Sequence, residues 1–435
     1  MRTRGLVVLV LAHARAWAPE AELAALHGAS FAAAEPWERV KRELRRSIAA
    51  SGPRPASAAS AATGVAAVLA ASPHALIIFQ NALYVFDDHH DAKKHKPHYL
   101  FSTLLSILAR APLPDVVAAW DAGATGQRCD KLPAPCLAIA KQAGFAVRGV
   151  LVPNPYFAHV GEWETRCAAW QEKIPAWPAR DSRVFWRGSV KPGCNPGNVA
   201  RLTALTFTAA RDDLFDVRAT SLDAPDPRTC AGFTAAMRAL AAHSGAVRGA
   251  FVNASDFGRW RQYLNLPGTM GGSYSRNLNW LWPMRGVVHL WDSPAVEWYY
   301  PGLKSGATHG VVGRDFNAAV AALDGVRAHA ALEDRLRRGA DATFRAFGSG
   351  GGLERYWRLA VDGLNERFRA ADVLGNDRLR AVAIRRVRCA GLRRVRWVDP
   401  AGPFYDDTPG SGHPVAYETP GPSDPLLVAC LNKNV

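Results

Sequence analysis

The sequence lacks several signatures that would place it quickly. It has no Cys-x-x-Cys pair, which removes the usual zinc knuckle. No glycine-rich segment ends in Gly-Lys-Ser or Gly-Lys-Thr, so a P-loop is excluded. No apolar run approaches the roughly 20 residues that an ordinary membrane-spanning helix needs. Acidic residues are in the minority, 38 Asp and Glu against 53 Lys and Arg, and the formal net charge is +15. That excess points to an acidic partner such as a nucleotide, an acidic polysaccharide or a nucleic acid, or to an arginine-rich genome.

What is present describes a globular chain. With 49% hydrophobic and 21% charged residues it is not a disordered one. Its 435 residues suffice for two domains with full cores. The start combines Arg2 and Arg4, an apolar run over residues 5–12 and Ala16-Trp-Ala18. This reads as a secretory signal peptide over 1–18, and so as a lumenal or secreted mature chain. The alternative is a buried element of the first domain. Seven cysteines in an oxidising lumen should pair in part, and the odd number leaves at least one outside any intrachain bridge.

Strand and helix patterns alternate along the chain. Residues 37–48 have helical spacing, and 51–60 read as a linker. Ala75–Phe79 and Leu83–Phe86 read as strands joined by a tight turn at Gln80-Asn81. A helix is expected over 99–109 and strands at 115–120 and 147–152, with 132–142 open between strand and helix. A second series begins at Val184 and continues through strands near 214, 263, 287 and 310. Its helices are expected from 199, at 276–284, and over 318–346 and 354–369. The pattern implies an α/β chain with largely parallel sheets in two domains facing a cleft. After Arg378, apolar and basic residues partly alternate on both sides of Cys389-Ala-Gly391, which favours a hairpin, followed by an irregular tail.

Three clusters could do chemistry. Phe185-Trp-Arg-Gly-Ser189 ends a strand in Arg187, Gly188 and Ser189, and Arg201 lies near the start of the next helix. Arginine forks, a glycine that admits close approach, a hydroxyl and a helix amino end are the elements of a diphosphate site. Residues 263–276 repeat the logic with Gly272, Ser273, Ser275 and Arg276. Glu297-Trp-Tyr-Tyr-Pro301 sets a carboxylate beside aromatic rings, suited to the hydroxyls and face of a sugar or nucleoside, or simply to packing. Asp87-Asp-His-His-Asp91, with His95 and His98, could ligate a metal but reads better as a solvated loop.

In this order the clusters resemble the Rumi-type protein O-glucosyltransferases, glycosyltransferase family 90, which share their domain with capsule-associated proteins. The matching elements are Leu113-Pro-Asp-Val, Leu151-Val-Pro-Asn-Pro-Tyr-Phe157, Phe185–Ser189, Arg201 and Gln262-Tyr263-Leu. Gly272-Ser273 with Arg276, Glu297–Lys304, and Arg338-Gly339 with Phe344 follow. The resemblance covers about residues 37–364. It implies a GT-B-like fold of two Rossmann-like domains. The acceptor-side domain would span 35–178, the UDP-sugar-binding domain 179–348 and a closing helix 349–370, leaving 371–435 as basic hairpin and tail. It also implies inversion with a UDP-sugar donor, a protein or glycan acceptor, no required metal, no nucleic acid and a lumenal location.

Donor binding would fall to Arg187, Gly188, Ser189, Arg201, Ser273, Ser275, Arg276 and Glu297, with Tyr263 packed beneath. The absence of any Asp-x-Asp agrees with a metal-independent reaction. The chain departs from the family at the base. A gap-free reading puts Ala124 on that position and Asp121 three residues before it. Asp121 could serve as base through a shifted loop or could merely cap a turn, and Asp130 is a weaker substitute. Two rivals therefore stand beside the enzyme. One is a UDP- or glycan-binding relative without its base. The other is a basic protein that binds acidic polysaccharide or nucleic acid through residues 378–396.

Overall fold

The computed structural model describes residues 36–431 apart from 72–73, 87–94, 124, 143–147, 224–230, 243, 269–276, 294, 313–315, 385–388 and 399–414. Its main strands, in chain order, are β1 (Ala75–Phe79), β2 (Ala82–Phe86), β3 (Val116–Asp121), β4 (Cys136–Ala138), β5 (Gly149–Leu151) and β6 (Asp181–Val190). They continue with β7 (Phe215–Leu222), β8 (Trp260–Asn265), β9 (Val287–Trp291), β10 (Gly310–Val312), β11 (Leu392–Trp397) and β12 (Val415–Glu418). The helices that matter below are α1 (Pro36–Ser51), α2 (Ala58–Ala70), α3 (His95–Arg110), α4 (Pro196–Ala210), α5 (Ala330–Thr343), α6 (Gly350–Phe368) and α7 (Asp377–Ile384).

The chain divides into two compact α/β units, each assembled from separated segments. One contains Trp37–Glu164, Glu297–Pro301 and the chain from Gly350 onward. Its sheet runs β12-β11-β2-β1-β3-β4-β5. The apolar runs predicted as strands at 75–86 form a hairpin, with Gln80 at φ 47° and Asn81 at φ 60°. Both turn residues are left-handed, as in the two-residue turns whose twist matches paired strands. Strands β3, β4 and β5 are parallel, with Asp121, Ala138 and Leu151 in register at their carboxyl ends. The rest of this sheet is antiparallel, so the expected largely parallel arrangement is corrected here to a mixed one.

The tail also departs from expectation. Asp377–Ile384 is a helix, started by the Asn376 side chain accepting from the Leu379 amide at 3.0 Å. Ala383 and Ile384, expected to begin the first arm of a hairpin, end this helix instead, and the rest of that arm, 385–388, lies outside the described residues. Residues 392–397 pair instead with β2, some 300 residues earlier, and with β12. Leu392 and Val395 are buried while Arg394 and Arg396 are exposed; the segment is a strand, but its burial does not follow a strict two-residue period. Cys389 is bridged to Cys430, and Cys129 to Cys136. Cys194 is also disulfide-bonded, and Cys167 keeps a buried thiol.

The other unit contains Thr165–Val296 and Gly302–Ser349. Its sheet is wholly parallel, in the order β10-β9-β8-β6-β7. Strand β6 leads through α4 to β7 on one side, and the chain then crosses to β8 on the other. The reversal of direction makes the gap between the carboxyl ends of β6 and β8 a topological switch point. Both faces of the sheet are covered. Trp186, Leu205, Phe207, Val217 and Leu264 belong to one apolar cluster. On the other face Phe185 stacks on Trp260, with ring centroids 3.8 Å apart.

Candidate functional site

The switch point gathers much of what the sequence had singled out. Strand β6 has an irregularity in its pairing with β7 between Gly188 and Ser189. The loop beyond it is fixed by Asn198, whose Oδ1 accepts from the Lys191 amide at 3.1 Å while its Nδ2 donates to Gly193 O at 2.8 Å. Asn195 caps α4 by accepting from the Asn198 amide at 3.0 Å, and Pro196 supplies a first helical residue that needs no hydrogen bond. Asn277 Nδ2 donates to Arg187 O at 3.0 Å.

The two arginines expected to share a diphosphate lie on opposite faces of the sheet: alternation along β6 sends Phe185 and Arg187 to one face and Trp186 to the other, and the helix that carries Arg201 packs on the Trp186 face. Arg187 lies over Phe185, 4.9 Å from its ring centroid. Its Nη2 donates to both carboxylate oxygens of Asp216, at 2.9 and 3.0 Å, and Nη1 donates to Asp216 O and Trp186 O. Asp216 is nearly buried and also meets Arg218 at 3.0 Å. Arg187 is thus committed to a buried ion pair. Arg201, reaching from α4, sits over Trp186 on the other face. It donates through Nη1 to Ser189 O at 2.7 Å and through Nε to Pro267 O at 2.9 Å. It thereby bridges the backbone at the carboxyl ends of β6 and β8. Gly188 is explained by packing, since a Cβ there would stand 2.5 Å from the Trp186 ring.

One residue at this edge was not picked out from the sequence. Asn265, the last residue of β8, is 6% exposed, and its Oδ1 accepts no hydrogen bond among the described residues. A buried acceptor left without a donor costs about 1–3 kcal/mol, so it marks a place where a ligand donor would be satisfied. Ser189, half-buried across the gap, offers a hydroxyl that is likewise unengaged among the described residues. The available sequence signal was an amide at the end of an apolar strand, one residue before Leu266-Pro267. Ser273, Ser275 and Arg276 lie outside the described residues, as does Ala124. So do Asp87–Asp91, and nothing describes the His95 side chain.

Tyr263 is fully buried, with its hydroxyl directed to Arg180, just before the start of β6. Its hydroxyl accepts from Arg180 Nη2 at 2.8 Å and donates to Phe257 O at 2.9 Å. Burial pushes its phenol up to about 12.

In the other unit, Asp121 closes β3 with 3% exposure. Oδ1 accepts from the Gly123 amide at 2.7 Å and Oδ2 from the Arg128 amide at 3.1 Å. Both oxygens therefore hold the following turn. Glu297 belongs to this unit and not to the parallel-sheet unit that carries the other expected donor residues. It is 1% exposed. Asn154 Oδ1 caps the Pro155–Phe157 turn by accepting from the Tyr156 amide, which turns Nδ2 toward Glu297 Oε2 at 2.8 Å. Oε1 meets no partner among the described residues. Trp298 packs 4.3 Å from Tyr356, whose hydroxyl donates to Leu151 O at 2.6 Å. This dry setting pushes the Glu297 carboxyl up to about 8, against the opposing Asn154 hydrogen bond. Burial and then Glu297 raise the Tyr300 phenol in turn.

Fold and site together define a two-unit α/β protein with a candidate ligand site at the carboxyl edge of a parallel sheet. No family model matches the chain, and no curated protein matches it. Among the described residues no group of three His, Cys, Asp or Glu is placed to hold a metal ion, and no helix is long and apolar enough to cross a membrane.

Proposed function

We propose that the protein is an inverting, UDP-sugar-dependent glycosyltransferase of the Rumi type, its two α/β units being the halves of a GT-B enzyme. The observation that carries the reading is the buried Asn265 acceptor, unengaged among the described residues, at the end of β8 beside β6 at a topological switch point, where open parallel sheets bind nucleotides. The nucleoside diphosphate would lie there, with Ser189 and the amino end of α4 toward the phosphates and Asn265 accepting from the ligand. Arg201 would act by setting the width of the gap. The acceptor oxygen attacks the anomeric carbon as the bond to the diphosphate breaks, and the acceptor proton passes to a carboxylate. Asp121 is the proposed base, through the lone pairs its two amide contacts leave over. UDP departs as the leaving group, needing positive charge that Arg276 could add. The disulfides support a lumenal or secreted setting.

A second reading has an observation of its own. Asp121 is buried with both oxygens held by amides, as a structural cap would be. On this reading the chain binds UDP or a glycan without turnover.

One experiment separates the two. Release of UDP from a panel of UDP-sugars is followed with chelator present, alongside Asp121→Asn and Asn265→Ala. The enzyme reading expects turnover that survives chelator, falls at least a hundredfold in Asp121→Asn, and loses donor affinity in Asn265→Ala. UDP binding with no turnover of any donor, candidate acceptors included, selects the non-catalytic reading. No binding of UDP at all overturns both.

A further inference from the structure

The opposite, amino edge of the parallel sheet carries a cationic cluster that the donor site does not use. Arg180 lies just before β6, and Arg261 is the second residue of β8. Arg337 comes from α5. Their guanidinium carbons stand 4.9, 5.6 and 5.2 Å from the centroid of one indole ring, that of half-buried Trp177. Three positive charges are crowded within separations on the order of the Debye length, about 10 Å at 0.1 M salt.

Little nearby offsets them. Arg180 is 4% exposed, and every hydrogen bond it donates among the described residues goes to a neutral acceptor: the carbonyls of Trp260, Met284 and Arg285, and the Tyr263 hydroxyl. Buried charges are normally paired, and this one has no carboxylate among the described residues. Arg261 spends Nε and Nη2 on the Trp177 and Pro178 carbonyls, which leaves Nη1. Arg337 gives Nη2 to Asp334, which leaves Nε and Nη1. Asp334 is itself shared with Arg338. Fixed, partly free guanidinium forks around an accessible indole combine a tetrahedral oxyanion binder with a platform for an apolar ring face.

We propose that the Trp177 corner binds a sulfate or phosphate ester carried on a sugar, with the ester between Arg261 and Arg337 and the sugar ring against Trp177. Arg180 supplies buried positive charge from behind, without touching the ligand. The site is distinct from the proposed donor site. A six-residue strand such as β8 separates the two edges of the sheet by roughly 3.3 Å per residue.

The test is calorimetric titration of the full chain at low salt with glucosamine 6-sulfate, glucose 6-phosphate and unsubstituted glucose. Either ester is expected to bind and plain glucose not to, and the stronger ester identifies the source. Arg337→Gln and Arg261→Gln should each weaken the ester at least tenfold. Arg394→Gln with Arg396→Gln, on the tail strand, should leave it unchanged, and saturating UDP should not displace it. Arg261 also braces the backbone, so Arg337→Gln, whose partner is a surface aspartate, decides the matter if the other variant melts early. Failure of both esters to bind the parent would overturn the proposal. So would parental affinity in Arg337→Gln, or displacement by UDP.

Discussion

Glu297→Gln should make the protein more stable at neutral pH, although it alters a buried polar residue. The folded state holds this carboxyl protonated up to about pH 8, whereas in the unfolded chain it ionises near its ordinary value of 4.5. Between those limits the unfolded state binds fewer protons, so stability falls as pH rises. The sign is that of any group whose folded pKa is raised. The full contribution is present below about pH 4.5, and it drains away through pH 8. At pH 7 the loss is about 3 kcal/mol, from 1.36 kcal/mol per unit. Glutamine removes the titration and keeps a carbonyl to accept from Asn154 Nδ2, which now donates to Oε2 at 2.8 Å. Its amide nitrogen takes the place of Oε1, which has no partner among the described residues. Urea unfolding of parent and variant at pH 5 and pH 7.5 provides the assay. The variant should gain on the parent by about 2–3 kcal/mol between those two pH values, the steep slope belonging to the parent alone. Parallel pH dependences would refute the reasoning, because they would mean that the carboxyl is already ionised in the folded protein or that water reaches it.

Three further outcomes follow from the same geometry. Arg187→Ala should destabilise the parallel-sheet unit by about 3 kcal/mol in chemical unfolding, because it leaves nearly buried Asp216 with Arg218 alone; a loss of UDP binding without a loss of stability would instead make Arg187 a ligand contact. Replacing Cys389 and Cys430 together by serine should cost at most about 4 kcal/mol, the chain-entropy value for a loop of sequence separation 41, and lower the melting temperature measured by circular dichroism. His289 is held down to about 4 by burial, so it contributes stability above its ordinary 6.5 that is lost as pH falls toward 4; His289→Gln should flatten the acid limb of a melting-temperature profile over that window.

Local pattern was enough for much of the fold. The hairpin at 75–86 was legible because two apolar runs flank a pair of residues that tolerate positive φ. The β6–α4 connection was legible too, from an apolar run and a Gly/Pro loop, although the helix begins at Pro196, capped by Asn195, three residues before the expected start. Helix α2 was missed in part because its alanine- and serine-rich start reads as a linker. Only a capping box between Ser57 and Ser60 reveals it as a helix beginning.

The sequence by itself determined many of the strands and helices, and several of the polar residues that end them, because period and capping act within a few residues. Only the tertiary structure decided what those polar residues do. Arg187 and Arg201 look equivalent in sequence, yet one faces Asp216 and the other bridges Ser189 to Pro267, since the helix that carries Arg201 packs on the face of the sheet opposite to the one Arg187 points to. Asn265 became a candidate only when β8 was seen beside β6, and Glu297 changed unit when Asn154 was seen to receive it. Pairings such as β2 with β11 join segments some 300 residues apart. Such contacts are set by the burial of whole faces, which no short window of sequence contains.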